Sequence, residues 1–390
     1  MIINKNWHFT DTKLNLARVN RNNFIKSNAI FDIFDWSDKK YYYVPLDFGI
    51  EFDLKFIPEY FQTQILSNKL TVIIHNELEA TLQVLDFVYE YFILKHKIYN
   101  IIYFSNNPNA HIRCAELAKK YNAPIIKCYL AMEFEYHTAK YFVEKNLINE
   151  MTDFNGNKKF LNLNRVWRTH RPTLVSLLYL ENLLQFGHVS LGVSERQNFC
   201  NYEYALPLMI KSNPSLQVYF ETNKEKILSI PHMYLDQNDL NVNWNMPLED
   251  TKKYYKDSLC SVISETYFYE TELYHGFRTN PPDPCVFLTE KTFKPILEGH
   301  PFIMVSRPNT LKFLHKLGYK TFHPFIDESY DSIENDTERI IEVVRQIKNL
   351  CYIDGADFYK SIKNIVIHNR DLILNKLNSP KTSYCYELPL

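Results

Sequence analysis

The chain has 390 residues and a mass of 46.5 kDa, more than one ordinary hydrophobic core accommodates, so two domains are expected. Hydrophobic residues at 46% and charged residues at 23% fit a globular protein, and no apolar run reaches membrane-spanning length. The 44 Lys+Arg against 45 Asp+Glu leave a formal charge of −1, which argues against a protein that coats nucleic acid.

The first forty residues are irregular, and Lys40 to Pro45 (KYYYVP) reads as a strand. LTVIIHN, directly after Lys69, reads as a buried strand, followed by a helical pattern from Ala80 to Lys95. YNIIYFS (99–105) is a second strand. After an Asn-Asn-Pro turn, AHIRCAELAKKY (110–121) has helical spacing of its apolar residues. Ala123 to Cys128 supplies a further strand. Strand, helix and strand in this order imply a parallel sheet with right-handed crossovers.

Thr152 to Lys159 (TDFNGNKK) is polar and turn-rich, so a boundary is placed near 150. This gives a first domain over 1–150, a second over 151–350, and a C-terminal helix and tail over 351–390 placed to cross back to the first. The second half restarts with a strand at 160–163, a helix from Pro172 to Leu184 and a strand at Val189 to Val193. Residues 195–255 give no clear pattern. From Leu259 the order is strand, long loop, helix from Thr289, strand at 301–305, helix at 309–317 and strand at Lys320 to Phe322. Two amphipathic helices, 334–350 and 357–377, close the chain. The expected fold is therefore α/β, two Rossmann-like domains facing a central cleft.

Thr289-Glu290-Lys291 opens a helix. Thr289 suits an N-cap, and Glu290 lies where the helix dipole favours a carboxylate. Lys291 beside free amides makes a place for a phosphate or pyrophosphate, against the plainer reading of a solvated Glu-Lys pair. Arg165, Arg168, His170 and Arg171 crowd together after the 160–163 strand, either as forks for pyrophosphate oxygens or as solvent-facing charges capping a helix. With only 8 glycines there is no G-x-G-x-x-G and no P-loop, so a dinucleotide dehydrogenase or P-loop kinase is not expected. No D-x-D triplet and no histidine ligand pair occur, so no metal is expected. The 7 cysteines include no C-x-x-C pair and fit reduced thiols in a cytoplasmic protein without a leader.

The T-E-K helix start, followed by the apolar PFIMV strand, resembles the donor-binding signature of the α1,3-fucosyltransferases, with Ser264-Glu265-Thr266 in the place of their E-N-S-like segment. FLNLNRVWRTHR (160–171) resembles a block of viral and bacterial glycosyltransferase-like proteins. The likeness covers roughly residues 159–325, and Glu265 stands where the family usually has Asn. It implies a metal-independent, inverting glycosyltransferase of the GT-B type, with a nucleotide-sugar as co-substrate, a GDP-sugar favoured, and no other cofactor. The acceptor would be a hydroxyl of a glycan or another molecule. By this resemblance Arg165, Arg168, Arg171, Thr289 and Lys291 bind the diphosphate, Glu290 takes the ribose hydroxyls, and Glu265 lines the same pocket. Inversion needs a general base, for which Glu77, the first carboxylate after the VIIH strand, is preferred over Glu79, with Glu133 and Glu135 in reserve. The alternatives are transfer to a modified DNA base, or a non-catalytic glycan-binding or scaffold protein of the same fold.

Overall fold

A computed structural model describes residues 41–46, 53–57, 59–76, 82–148, 153–164, 168–191, 202–231, 233, 235, 251–269, 273–274, 277–278, 285–378 and 385–387. The chain divides into two compact units, Met1–His137 with Lys376–Leu390, and Thr138–Asn375.

In the first unit β1 (Tyr41–Leu46), β2 (Thr71–Asn76), β3 (Ile101–Ser105) and β4 (Lys127–Ala131) pair side by side in parallel. The connecting segments carry α1 (Glu59–Leu66), α2 (Gln83–Phe87) and α3 (Ala110–Tyr121), with α4 (Glu133–Glu144) after β4, its residues from Thr138 on belonging to the second unit. α2 continues as a π-helical stretch, Val88–Lys95. Alternate strand residues, among them Val72, Ile74, Tyr103 and Cys128, bury against Leu85, Phe92, Cys114 and Leu117 of the helices. β4 starts four residues later than the apolar run at 123 suggests. Ala123 N–H closes on Ala118 O at the end of α3, and Pro124 has no N–H for a ladder.

The second unit contains β5 (Lys158–Asn164), α5 (His170–Leu180), β6 (Gly187–Leu191), α6 (Tyr202–Ser212), α7 (Gln217–Thr222), α8 (Lys224–Leu228) and α9 (Lys252–Asp257). The region 195–255, without clear pattern in the sequence, is thus mostly helical where described, with an isolated bridge from Met233 to Leu191. β7 (Ser258–Ser264) follows, then a two-stranded ribbon, β8 (Leu273–Tyr274) with β9 (Phe277–Arg278). α10 (Glu290–Glu298), β10 (Phe302–Val305), α11 (Thr310–Lys316), α12 (Asp336–Cys351) and α13 (Gly355–Asn378) complete it. The last three residues of α13 belong to the first unit, where β11 (Cys385–Glu387) pairs antiparallel with β4.

The second sheet is parallel throughout, in the order β10-β7-β5-β6. All seven residues of β7 are buried, as its central place requires. The strand expected at Lys320–Phe322 does not form. Asn369 brackets Lys320 instead, accepting from its N–H and donating to its carbonyl, both at 2.8 Å, while Phe322 N–H donates to Glu328 Oε1. Those side chains satisfy the backbone groups that a ladder would otherwise take. The apolar side chain that suggested a strand, Phe322, packs edge-on against Phe302.

Candidate functional site

The order of the second sheet reverses at one place. From β5 the chain passes through α5 to β6 on one side, whereas from β7 it passes through α10 to β10 on the other. Adjacent strands whose connections diverge form the switch point at which open α/β sheets bind ligands, beyond the strands' carboxyl ends. The first turns of α5 and α10 follow these two strands, and the side chains picked out in the sequence gather there.

Thr289 is extended (φ −119°, ψ −176°) and caps α10, its hydroxyl oxygen accepting Lys291 N–H at 3.4 Å. At the other end Gly299 is left-handed (φ 74°), as a helix C-terminus favours. Glu265, one residue past β7 and 1% exposed, reaches across to this cap. Its Oε1 accepts Thr289 N–H at 3.0 Å and the Thr292 hydroxyl at 2.6 Å. Its Oε2 accepts the Thr289 hydroxyl at 2.7 Å and Thr266 N–H at 3.1 Å. Four donors around a buried carboxylate are what such a charge needs in place of water. The carboxylate that the sequence reading set in the donor pocket is therefore engaged in fastening α10 to the end of β7.

Glu290 is buried and Lys291 partly exposed. Lys291 Nζ lies 2.9 Å from Glu290 Oε1 and 3.1 Å from Thr289 Oγ1. Burial alone would raise the Glu290 carboxyl, but the charges of Lys291 and Lys294 outweigh it and hold it below the ordinary glutamate value. The site thus presents a helix start, one ammonium with solvent access and a carboxylate held ionised.

On the α5 side, Arg171 is 2% exposed and donates to the carbonyls of Ser264 (3.1 Å) and Glu265 (3.4 Å). His170 Nε2 lies 3.0 Å from the same Glu265 carbonyl. Arg168, partly exposed, stands just before α5, and its carbonyl accepts Arg171 N–H at 2.8 Å. The structure therefore brings Arg171, Glu265, Thr289, Glu290 and Lys291 together around the end of β7. Arg165 and Glu77 lie outside the described residues, as does Glu79.

Two buried arginines that the sequence reading did not single out extend the grip. Arg307 donates to Tyr269 O at 2.7 Å. Arg339 donates to Phe268 O and Ser306 O, pairs with Asp336, and lies over the Phe268 ring, 4.4 Å from its centre. Phe268 stacks on His170 with its other neighbours close by. Residues 264–269 are thus held through their carbonyl oxygens as well as through the Glu265 carboxylate, the carbonyls meeting buried arginines that need such acceptors. A lone arginine ahead of the apolar positions 340, 343, 344 and 347 was the one sequence signal available for Arg339.

In the first unit, Glu133 is buried and pairs with His75 Nε2 at 2.8 Å. Glu135, fully buried, pairs with Lys376 Nζ, which also lies over the Tyr386 ring. Glu133 is therefore joined to a histidine, and Glu135 to a lysine, at the carboxyl edge of the first sheet. Among the described residues no group of three or more His, Cys, Asp or Glu is arranged to hold a metal ion, and no helix is long and apolar enough to cross a membrane. No family model, curated protein or solved structure matches this chain.

Proposed function

We propose that the protein is a glycosyltransferase of the GT-B type, moving a sugar from a nucleoside-diphosphate sugar to a hydroxyl of a glycan or other acceptor. The observation that carries this reading is the strand-order reversal between β5 and β7, with the start of α10 and Lys291 at it. A helix N-terminus and a neighbouring ammonium stabilise the charge that develops on a departing diphosphate. Lys291 and Arg168, both partly exposed, supply cations for it, and Glu290, held ionised, accepts from the ribose hydroxyls. Glu265 and Arg171 act behind them by fixing the end of β7. A metal-independent course is inferred from the lack of a D-x-D triplet in the sequence. Inversion, with Glu77 taking the acceptor's proton, and a guanine base on the donor rest on the resemblance to α1,3-fucosyltransferases.

A thermal-shift series with GDP, UDP, CDP, ADP and TDP, each with and without EDTA, tests the proposal. A ligand at about 100 times its dissociation constant adds about 2.7 kcal/mol, several degrees in Tm for a chain of this size. A base-selective rise that survives EDTA is expected. A rise abolished by EDTA overturns the metal-independent course, and no rise with any nucleotide overturns the glycosyltransferase.

A further inference from the structure

Cys114 and Cys128 bring their sulfur atoms to 2.9 Å in the buried core of the first unit. A disulfide bond spans about 2.05 Å, so the two are about 0.9 Å from bonding distance. The elements that carry them make this meeting a property of the fold. Cys114 lies on the buried face of α3 with Ala110, Leu117 and Ala118, at the i, i+4, i+7 and i+8 spacing that lines one side of a helix. Cys128 is the second residue of β4, facing the same core. The buried Tyr89 hydroxyl lies 3.0 Å from Cys114 O and 3.1 Å from Pro124 O, tying α3 to the segment that enters β4. The register of helix against strand is thereby fixed, with the sulfurs in contact.

We propose that Cys114 and Cys128 form an intramolecular disulfide on exposure to a small-molecule disulfide oxidant, stapling α3 to β4. The two cysteines are fourteen positions apart. Cross-linking a loop of that size restricts the unfolded chain, which is the main way a disulfide stabilises a fold. In the exchange one protein thiolate attacks a sulfur of the oxidant and expels its first thiol, giving a mixed disulfide. The second cysteine then attacks the protein sulfur of that intermediate and expels the second thiol. The oxidant's S–S bond breaks, the protein's forms, and two protons with two electrons pass to the released thiols. The hydrogen bond with Cys128 and then burial push the Cys114 thiol up, so the exchange begins from brief opening of α3 and is slow.

The folded full-length chain is incubated for hours with oxidised glutathione, acid-quenched, denatured, alkylated and peptide-mapped, and its melting is followed in parallel. The expected product is one Cys114–Cys128 cross-linked peptide, while Cys260 and Cys351, buried in the other unit, stay alkylatable. The oxidised chain should melt about 5 °C higher, the increment lost on reduction and absent from Cys128→Ala. Alkylation of both thiols to the same extent as Cys260 and Cys351 overturns the pair, as does glutathione retained on either one. A cross-link that leaves Tm unchanged overturns its role as a staple.

Discussion

Glu265 Oε2 accepts the Thr289 hydroxyl at 2.7 Å, and Thr289 Oγ1 in turn lies 3.1 Å from Lys291 Nζ, so one buried carboxylate positions the cap and the cap positions the cation. Each Glu265 oxygen takes one backbone N–H, Thr289 on Oε1 and Thr266 on Oε2, besides a hydroxyl. Hydroxyls can turn, but backbone amides cannot. In Glu265→Gln the new NH2 must therefore face an N–H donor whichever way the amide is flipped. A loss of about 3 kcal/mol of stability is expected, as for a buried donor left unsatisfied with its neighbour. Urea unfolding of the two proteins measures it. Equal midpoints and slopes would mean that the carboxylate does not fasten α10.

Lys291 differs from Glu265 in having solvent access and, among the described residues, its sequence neighbours Thr289 and Glu290 as partners. Removing a partly exposed ammonium of this kind costs a few tenths of a kcal/mol in stability. If Lys291 meets a diphosphate as proposed, it gives it a charge-assisted hydrogen bond, and losing that should weaken nucleotide binding at least about tenfold. Isothermal titration of Lys291→Ala with the best nucleoside diphosphate tests the difference. Unchanged affinity with unchanged stability would remove Lys291 from the donor site.

The start of α10 was legible because its signals are local. Thr-Glu-Lys, the apolar positions 293, 296 and 297, and Gly299 all lie within one helix and its caps. The parallel sheets were legible for the same reason, since buried strands announce themselves as short apolar runs. What holds the site together was not, because its contacts are remote in sequence. Glu265 meets residues 24 and 27 positions on, and Arg171 meets carbonyls more than 90 positions away. In the arginine cluster, composition reveals charge without revealing that Arg171 is buried and Arg168 partly exposed. Lys320–Phe322 misled in the opposite direction: three residues of strand-like composition found their partners in Asn369 and Glu328 side chains.

Arg171 and Arg168 should separate cleanly on mutation. Arg171 is buried against Ser264 and Glu265 carbonyls, so Arg171→Met leaves buried acceptors without their donor and should cost about 2–3 kcal/mol. Arg168→Ala, at a partly exposed position before α5, should leave the melting temperature within about 1 °C, the change expected of a surface substitution. Its nucleotide affinity should fall if its guanidinium meets the diphosphate. Thermal melts with and without nucleotide report both effects. Loss of affinity in a still-folded Arg171→Met, with Arg168→Ala unaffected, would reverse these roles.

Acid should destabilise the second unit through His300. This histidine is buried behind β7, with Nδ1 2.7 Å from Ser261 Oγ and Nε2 against Ser258 O. The carbonyl requires a proton on Nε2, so the neutral ring accepts the Ser261 hydroxyl on Nδ1. Burial pushes its pKa down from 6.5 to about 4, the Ser258 and Tyr255 backbone contacts opposing only in part. Above pH 6.5 neither folded nor unfolded chain protonates it, and stability is complete. Between 6.5 and about 4 the unfolded chain takes up a proton that the folded one refuses, so stability falls as pH falls. The full loss is about 3 kcal/mol, at about 1.4 kcal/mol for each unit of displacement. Glu290, held below its ordinary 4.5, begins to give up its contribution as pH falls through 4.5, so it overlaps only the acid end of this window and is common to both proteins compared. His300→Gln should be less stable at pH 7 yet lose about 3 kcal/mol less than the parent between pH 7 and 4, as read from urea midpoints at each pH. Parallel pH profiles for the two proteins would assign the acid sensitivity to other groups.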